Sequence, residues 1–261
     1  MVVNNKKNKN IINIVPSWGW LTLSFIAALI AWWLLSINPT TSRSFPSLIS
    51  VFNSLSVMID RGVLFRDLQS SLFAVGSGFA LGFILSLPTA ILMAWYKPIE
   101  KIIGPWIQFI RSIPPLAYVP LVVISAGVGT MAQVIVITIA TFLTMSITIY
   151  QGVLNIDPTL IKAARVLGAK DKDIFLKVMA PASLPFIMTA IRLGTATALT
   201  TLIAAESTGA VAGLGMRIRA LNQTFESSPM MLYIIMIGII GLLIEALVRK
   251  LEARLTGWQE K

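Results

Sequence analysis

Long apolar runs separated by short polar intervals dominate this chain. Six runs approach or exceed the roughly 20 apolar residues that a helix needs to cross a bilayer. The interval 112–156 carries no charge and is too long for one span, so Gly127-Val128-Gly129-Thr130 is predicted to be a tight turn. The pattern predicts an all-α membrane protein with six transmembrane helices at 20–37, 68–95, 106–126, 131–151, 184–205 and 228–247.

The polar intervals divide the chain further. Residues 38–66 read as a loop with a short amphipathic helix over 48–58 that lies on the membrane. Residues 207–228 read as a glycine-containing loop. The predicted organisation has four parts. Residues 1–17 form a tail, and residues 18–66 form the first span with its following segment. Residues 67–248 form a core of five spans that contains the polar interval 157–183, and residues 249–261 form a second tail.

The first apolar run has two interpretations, a retained span or a signal peptide. The run from Trp20 to Ile37 is longer than the apolar region of a typical signal peptide, and no small-residue cleavage site follows it. We therefore expect a retained span. The tryptophans beside and within it are predicted to anchor it at the membrane interface: Trp18, Trp20, Trp32 and Trp33.

Composition supports the membrane class and narrows the chemistry. The 261 residues are 56% hydrophobic and 12% charged, with a mean hydropathy of +0.82, whereas soluble domains carry about 25% charged residues. The chain has no cysteine and no histidine. This excludes thiolate and imidazole metal ligands, cysteine nucleophiles and histidine bases, so we expect no catalytic residue and no metal site.

The basic residues fall mainly on one side of the predicted membrane. Sixteen of the 21 lie on the side of the two tails and of the intervals that follow the second and fourth spans, with Arg111 and Arg192 of the third and fifth spans counted on that side, against five on the other side. Because basic loops stay in the cytoplasm, we expect a multi-pass protein of the bacterial inner membrane with cytoplasmic termini. The five on the other side are Arg43, Arg61, Arg66, Arg217 and Arg219.

The interval 157–183 has the features of a short helix followed by a charged turn. Asp157-Pro158 is typical of a helix start, and Gly168 suits a helix end in the left-handed conformation. Ala163, Ala164 and Leu167 share one helical face. Because alanine side chains are short, another protein can approach this face closely. The alternative is an amphipathic loop helix packed on its own domain.

The same interval resembles the EAA motif of ABC importer permeases. The resemblance rests on the alanine pair, three further residues and Gly168, then nine residues, Val178 and Pro181. Lys162 stands where the motif usually has glutamate, and Ala180 where leucine is common. In that family the loop is a coupling helix that docks on a cytoplasmic ATPase. The resemblance assigns this role to Lys162, Ala163, Ala164, Leu167, Gly168, Ala169 and Pro181.

Further segments resemble the taurine, sulfonate and nitrate branch of these permeases, most closely its taurine members. They are 112–117, 127–129, 202–206, 213–215 and the tail 254–258. The resemblance implies the type I ABC importer permease fold, and a homodimer with two ATPase subunits that bind ATP and Mg²⁺. It also implies a periplasmic or lipid-anchored binding protein. The expected cargo is a small anion or zwitterion: taurine or an alkanesulfonate before nitrate or bicarbonate.

Several residues are candidates for the transport pathway or its gate. Three prolines within seven residues, at 114, 115 and 120, cannot fit one regular helix. Irregular backbone at membrane depth lines a cavity or is buried in protein, so these prolines are either part of the pathway or gate or a kinked entry of the helix. Threonine hydroxyls can hold an anion without fixed charge, although they also pack helices. The candidates are Pro114, Pro115, Tyr118, Thr141, Thr144, Thr148, Thr197, Thr201 and Glu206.

Glu206 follows a run of small residues at the end of the fifth predicted span. We expect Glu206 near the outer mouth, paired with Arg217 or Arg219; the alternative is a solvated carboxylate at a helix end.

No GxxxxGK[ST] loop is present, so ATP hydrolysis is expected on a separate subunit. An ion-coupled carrier or a channel remains the alternative, although the spans contain almost no carboxylates and no filter-like sequence.

Overall fold

The computed structural model describes residues 17–256, and within them the regular structure is entirely helical. A six-residue π-helix, Ile174–Met179, joins α8 to α9. The α-helices are α1 Ser17–Ile37, α2 Leu48–Asp60, α3 Val63–Trp95, α4 Lys97–Arg111, α5 Pro115–Ala126, α6 Thr130–Leu154, α7 Pro158–Val166, α8 Asp171–Asp173, α9 Ala180–Gly209, α10 Leu214–Gln223 and α11 Ser227–Thr256.

Five described helices are long and apolar enough to span a membrane: α1, α3, α6, the continuous segment Asp171–Gly209 and α11. They correspond to five of the six predicted spans. The predicted span 106–126 is wrong as one helix, because it divides into α4 and α5, which meet at 100°. Pro114 and Pro115 cause the break, since each lacks an N–H and disfavours the helical conformation of the residue before it.

The centre of the bundle is α6, which packs against α3 on one side and α9 on the other. Its buried side chains include Ile137 and Met145. Close approach to α3 depends on Gly82, where an added Cβ would lie 2.0 Å from Thr141 Oγ1. Small residues serve the same purpose in many membrane helix pairs.

Contacts between distant segments define two ends of the bundle. At one end, Trp95 of α3 meets Phe175 edge to face, with ring centroids 5.6 Å apart; we call this the α7 end. At the other, the α10 end, the predicted turn at 127–130 is confirmed. There the Gly129 N–H donates to the Gly209 carbonyl at 2.8 Å, and this bond ties the α5–α6 turn to the end of α9.

The first span, α1, lies outside this bundle with its apolar surface exposed. Its described link is Trp32, whose Nε1 donates to the Pro46 carbonyl at 3.0 Å and whose ring meets Phe45 edge to face. Trp32 thus holds α1 to the loop that follows it. Trp18, Trp20 and Trp33 are exposed, as interface anchors require.

Two polar intervals contain more helix than predicted. The amphipathic helix expected over 48–58 is present as α2, with Ser47 as its cap. The interval 207–228 contains α10, so its prediction as a loop is wrong. The last span is longer than expected, because α11 continues to Thr256 through most of the predicted tail 249–261.

Candidate functional site

The helix α7 begins and ends where the sequence predicts. The Asp157 carboxylate caps it by accepting from the Thr159 N–H at 2.8 Å, and Pro158 occupies its first turn. This backbone hydrogen bond is the main reason that the pKa of Asp157 is lowered. Gly168, at φ 80°, ends the turn in the left-handed region. The element is therefore a short, defined helix at the tip of a loop.

The surface of α7 is mostly open, with half-buried Ile161 and Ala164 on its covered edge. No residue of the helix is buried, and the large apolar side chains that end it, Val166 and Leu167, are 88% and 86% exposed. Ala163 and Gly168 are exposed, while Ala164 and Ala169 are half-buried. Such a surface does not match the alternative of a loop helix packed on its own domain. The sequence prediction missed Val166.

The polar side chains around α7 form few ion pairs. Arg165 lies 3.6 Å from Asp171 across the turn. Across residues 17–256, the predicted coupling residue Lys162 forms no ion pair, and neither do Lys170 and Lys172. We define the α7 surface as Lys162, Ala163, Ala164, Val166, Leu167 and Gly168.

A π-helix connects the α7 surface to the membrane-spanning part of α9. Pro181 lacks an N–H and would clash with a carbonyl one turn earlier in a regular helix. The chain accommodates it with wider turns over Ile174–Met179, where the Ala180 N–H bonds to the Phe175 carbonyl five residues back. Buried Ile174 and the ring of Phe175 fix this segment to the bundle. A sequence reading of the Pro181 motif does not reveal the π-helix.

The predicted gate residues lie at the α4–α5 break and along α5. Pro114 is exposed, and Pro115 and Tyr118 are half-buried. Val119, which directly follows Tyr118, is buried and packs with Val136 of α6 and Ala205 of α9. The break is therefore beside the central helices, which is compatible with either a gate or a kinked entry to the membrane.

The candidate threonines fall into two groups, on α6 and on α9. Thr141 is buried against α3, and its hydroxyl donates to the Ile137 carbonyl at 2.7 Å. Thr148 bonds to the Thr144 carbonyl, and Thr197 to the Leu193 carbonyl. Thr201 is buried, and its hydroxyl finds no hydrogen-bond partner in the part of the chain described. Most of these contacts match the alternative role of helix packing.

A buried polar cluster that the sequence prediction largely missed lies at the α10 end. Glu206 accepts from the Ser71 hydroxyl at 2.6 Å and from the Gly215 N–H at 2.7 Å. Its predicted pairing with Arg217 or Arg219 is wrong. Arg217 pairs with Asp67 instead, and Arg219 donates to the Ser207 carbonyl. At 1% exposure Glu206 is not a solvated helix-end carboxylate either.

Asp67 is the centre of the other half of the cluster. Its carboxylate accepts from Arg217 Nε at 2.7 Å, from the Tyr233 hydroxyl at 3.2 Å and from the Gly213 N–H at 3.2 Å. Ser71 accepts from the Leu214 N–H at 2.9 Å. These bonds join α3, α9, α10 and α11. Because its hydrogen bonds hold these four helices together and both of its carboxylates are hydrogen-bonded, we call this cluster the structural lock.

The bundle of long apolar helices with an exposed loop helix at one end has the features of a multi-pass membrane protein. Residues 78–257 match the family of binding-protein-dependent transport system inner membrane components. A probable ABC transporter permease protein of Brucella abortus (strain 2308) is 40% identical over 243 residues, covering 93% of this chain and 96% of that protein.

Two further relatives carry substrate names. A putative aliphatic sulfonates transport permease protein, SsuC, of Bacillus subtilis (strain 168) is 30% identical over 93% of this chain and 89% of its own length. The taurine transport system permease protein TauC of Escherichia coli (strain K12) is 32% identical over 75% of this chain and 71% of its own length.

A solved structure shows the same fold. The MetNI methionine ABC transporter in inward-facing conformations aligns with a TM-score of 0.67 at 20% identity, covering 74% of this chain and 95% of that chain. The fold is that of type I ABC importer permeases. The chain belongs to the family of binding-protein-dependent transport system inner membrane components and, within it, to the taurine, sulfonate and nitrate branch of ABC importer permeases. It is a permease rather than a catalytic subunit.

Proposed function

We propose that this permease imports taurine or an alkanesulfonate, driven by separate ATPase subunits that dock on the α7 surface. Nitrate and bicarbonate are the less favoured substrates. The observation that carries the docking proposal is the exposure of Val166 and Leu167 at the tip of a rigid, capped helix. Two large apolar side chains in a polar loop have no partner within the described chain, so we expect a second protein to bury them.

Beside these side chains, the short alanine side chains of α7 leave a face that can enter a groove on the partner subunit, so we expect a groove as the docking site. A methyl group lets two surfaces close to nearly backbone contact, while Val166 and Leu167 supply buried apolar area. Lys162, Lys170 and Lys172, which form no described ion pair, favour an acidic rim on the partner. Salt would screen that contribution.

A homodimer and its pathway form the second part of the proposal. One side of α9 carries small and hydroxyl side chains on its open surface, including Ala196, Thr200 and Thr208. By contrast, the open surface of α1 carries large apolar side chains such as Phe25 and Ile30. We therefore expect α9 to face a second copy and α1 to face lipid. In this arrangement Pro114, Pro115 and Tyr118 contribute to the gate, and Thr197 to the pathway.

The remaining candidate residues divide by burial. Thr141 is enclosed between α3 and α6 and packs helices, and Glu206 belongs to the structural lock. Thr144, Thr148 and Thr201 stay candidates for the pathway. Hydroxyl donors can bind a sulfonate without a fixed charge, so the substrate is released easily. The relatives named for aliphatic sulfonates and taurine support this substrate class.

The docking proposal is tested by replacing Ala164 with tryptophan. The large ring would hold the surfaces apart, so we expect loss of ATPase co-purification or of substrate-stimulated ATP hydrolysis, with normal membrane insertion. Ala253→Trp, at an exposed position near the end of α11, is the control. Normal co-purification together with normal stimulation in Ala164→Trp would exclude the α7 surface as the docking site and return attention to an ion-coupled carrier.

The substrate is tested by uptake into cells that carry or lack this chain. Labelled taurine, an alkanesulfonate, nitrate and bicarbonate are compared at equal concentration. We expect chain-dependent uptake of taurine or the alkanesulfonate. Uptake of only nitrate or bicarbonate would contradict the substrate proposal and leave the docking proposal intact.

A further inference from the structure

The helix α4 has two chemically distinct sides. Its polar side carries Lys97, Lys101, Gln108 and Arg111, together with Glu100. Its apolar side carries Ile102, Trp106 and Phe109, which are 68%, 65% and 63% exposed. Large apolar side chains at this exposure need a cover other than the rest of the described chain.

Only a narrow edge of α4 touches the bundle. Ile107 is buried with Met93 of α3 and with Leu143 and Ile147 of α6. Met93 lies two residues before the end of α3, and Leu143 and Ile147 lie 11 and 7 residues before the end of α6, so this contact places α4 on the half of the bundle toward the α7 end. Trp95 and Tyr96, which precede α4, are partly exposed there, as aromatic residues at a membrane interface commonly are.

The direction of α4 follows from the 100° bend at the α4–α5 break. Val119 of α5 packs near Ala205, and an added Cβ at Gly209 would meet Val123 at 2.5 Å. Between the first contact and the second, α5 and α9 each move on by four residues, from Val119 to Val123 and from Ala205 to Gly209. The helix α5 therefore runs alongside α9, which spans the membrane. A helix at 100° to α5 therefore runs approximately along the membrane plane.

The basic side chains of α4 are exposed and unpaired within the described chain. Lys97, Lys101 and Arg111 form no ion pair among residues 17–256. An exposed apolar side, a basic side and an in-plane direction are together typical of a helix that lies in a lipid interface. A second copy of the chain or a water-filled cavity would not match all three features.

We propose that α4 is an interfacial helix whose Lys97, Lys101 and Arg111 bind the headgroups of anionic phospholipids at the α7 end, while Ile102, Trp106 and Phe109 enter the acyl region. The bound lipid would hold α4, and through the α4–α5 break the beginning of α5, at a fixed depth. This inference needs the membrane fold of the chain but not its substrate or its ATPase partner.

The position of α4 is tested with single cysteines, which the cysteine-free chain accepts without background. Spin labels are placed at Ile102 and Phe109 on the apolar side and at Lys101 and Gln108 on the polar side, in nanodiscs that contain phosphatidylglycerol. We expect oxygen to reach the first pair and a water-soluble nickel chelate the second. Access of the chelate to Ile102 and Phe109, or of neither reagent, would overturn the proposal in favour of water or a protein contact.

The lipid headgroup is tested with K97Q/K101Q/R111Q by native mass spectrometry of the purified full chain. Each basic side chain near an anionic surface strengthens binding by about fivefold, so the triple variant should bind phosphatidylglycerol one to two orders of magnitude more weakly. Binding of phosphatidylcholine should not change. K162Q/K170Q/K172Q, which removes the same charge from the α7 loop, should keep its phosphatidylglycerol. Unchanged binding in the α4 variant, or equal loss in both, would contradict the proposal.

Discussion

Arg217 of α10 holds the buried carboxylate of Asp67, which lies 150 residues earlier at the start of α3, with 2.7 Å between Nε and Oδ2. Asp67 has no exposed surface. The hydrogen bond that Arg217 donates to Asp67 raises the pKa of Arg217, so the guanidinium stays charged at every physiological pH. This pair ties α10, which packs mainly on α9 and α11, to the start of α3.

Replacement of Arg217 with methionine leaves Asp67 buried without its cation. We expect a loss of about 3–5 kcal/mol in the free energy of unfolding, because breaking a buried pair strands a charge. The unfolding midpoint of the purified chain in detergent measures this effect. Arg219→Met is the control, since Arg219 is exposed and, among residues 17–256, bonds only to a backbone carbonyl. An equal, small effect in both variants would argue against the pair as a lock.

Glu206→Gln tests the other half of the cluster. Both Glu206 oxygens accept hydrogen bonds, from Ser71 and from the Gly215 N–H, whereas glutamine has only one acceptor oxygen. One donor would then face an N–H₂ group, and we expect a loss of about 1–3 kcal/mol in stability. Thermal unfolding measures the loss, and uptake assays show whether transport falls with it. Unchanged stability would mean that the amide fits as well as the carboxylate.

Gly213→Ala should disturb the cluster through the backbone. Gly213 has φ 143°, and an added Cβ would lie 2.2 Å from Glu206 Oε1. Strain and displacement of the carboxylate together predict a loss of about 2 kcal/mol or more. Gly238→Ala is the matched control, because that glycine is inside α11 with open space around it and alanine gains up to about 1 kcal/mol in helix propensity. A neutral Gly213→Ala would contradict the tight packing at this site.

The sequence predicts those features that depend on neighbours along the chain. Asp157, Pro158 and Gly168 set the limits of α7 through capping and a left-handed turn, and both limits are confirmed. The turn at 127–130 is confirmed for the same reason. The helix α10 also had a local signal, because Leu214, Ile218 and Leu221 repeat at helical spacing, but the nearby glycines favoured a loop.

The features that the sequence did not predict depend on distant partners. Asp67 comes directly before an apolar run and resembles a solvated carboxylate, because nothing near it identifies Arg217 and Tyr233 as partners. The prolines at 114 and 115 indicated a disturbance, yet a kink and a 100° bend have the same local sequence. Packing of Ile107 on α3 and α6 decides between them.

The cap of α7 predicts a pH dependence confined to that helix. The pKa of Asp157 is lowered in the folded protein, from an ordinary value of about 3.9 for aspartate. Its stabilising effect is therefore fully present above that ordinary value and is lost as pH falls through the lowered folded pKa. Hydrogen exchange of the α7 amides, corrected for intrinsic rates, should show less protection at low pH. Asp157→Asn keeps a capping side chain without the charge, so an unchanged pH dependence in that variant would exclude Asp157 as its source.

The basic asymmetry of the sequence predicts that the α7 end faces the cytoplasm. Lys172 lies beside α7, whereas Ser42 lies in the loop between α1 and α2 and lines a cavity of about 830 Å³ with Arg43 and Phe225. Cysteines introduced at these two positions are each the only thiol in the chain. In intact cells an impermeant maleimide should label the cysteine at position 42 and leave that at 172 unlabelled until the membrane is permeabilised. The reverse pattern would invert the topology, place the α7 surface outside the cell and remove the basis for ATPase docking, because ATP is available only inside.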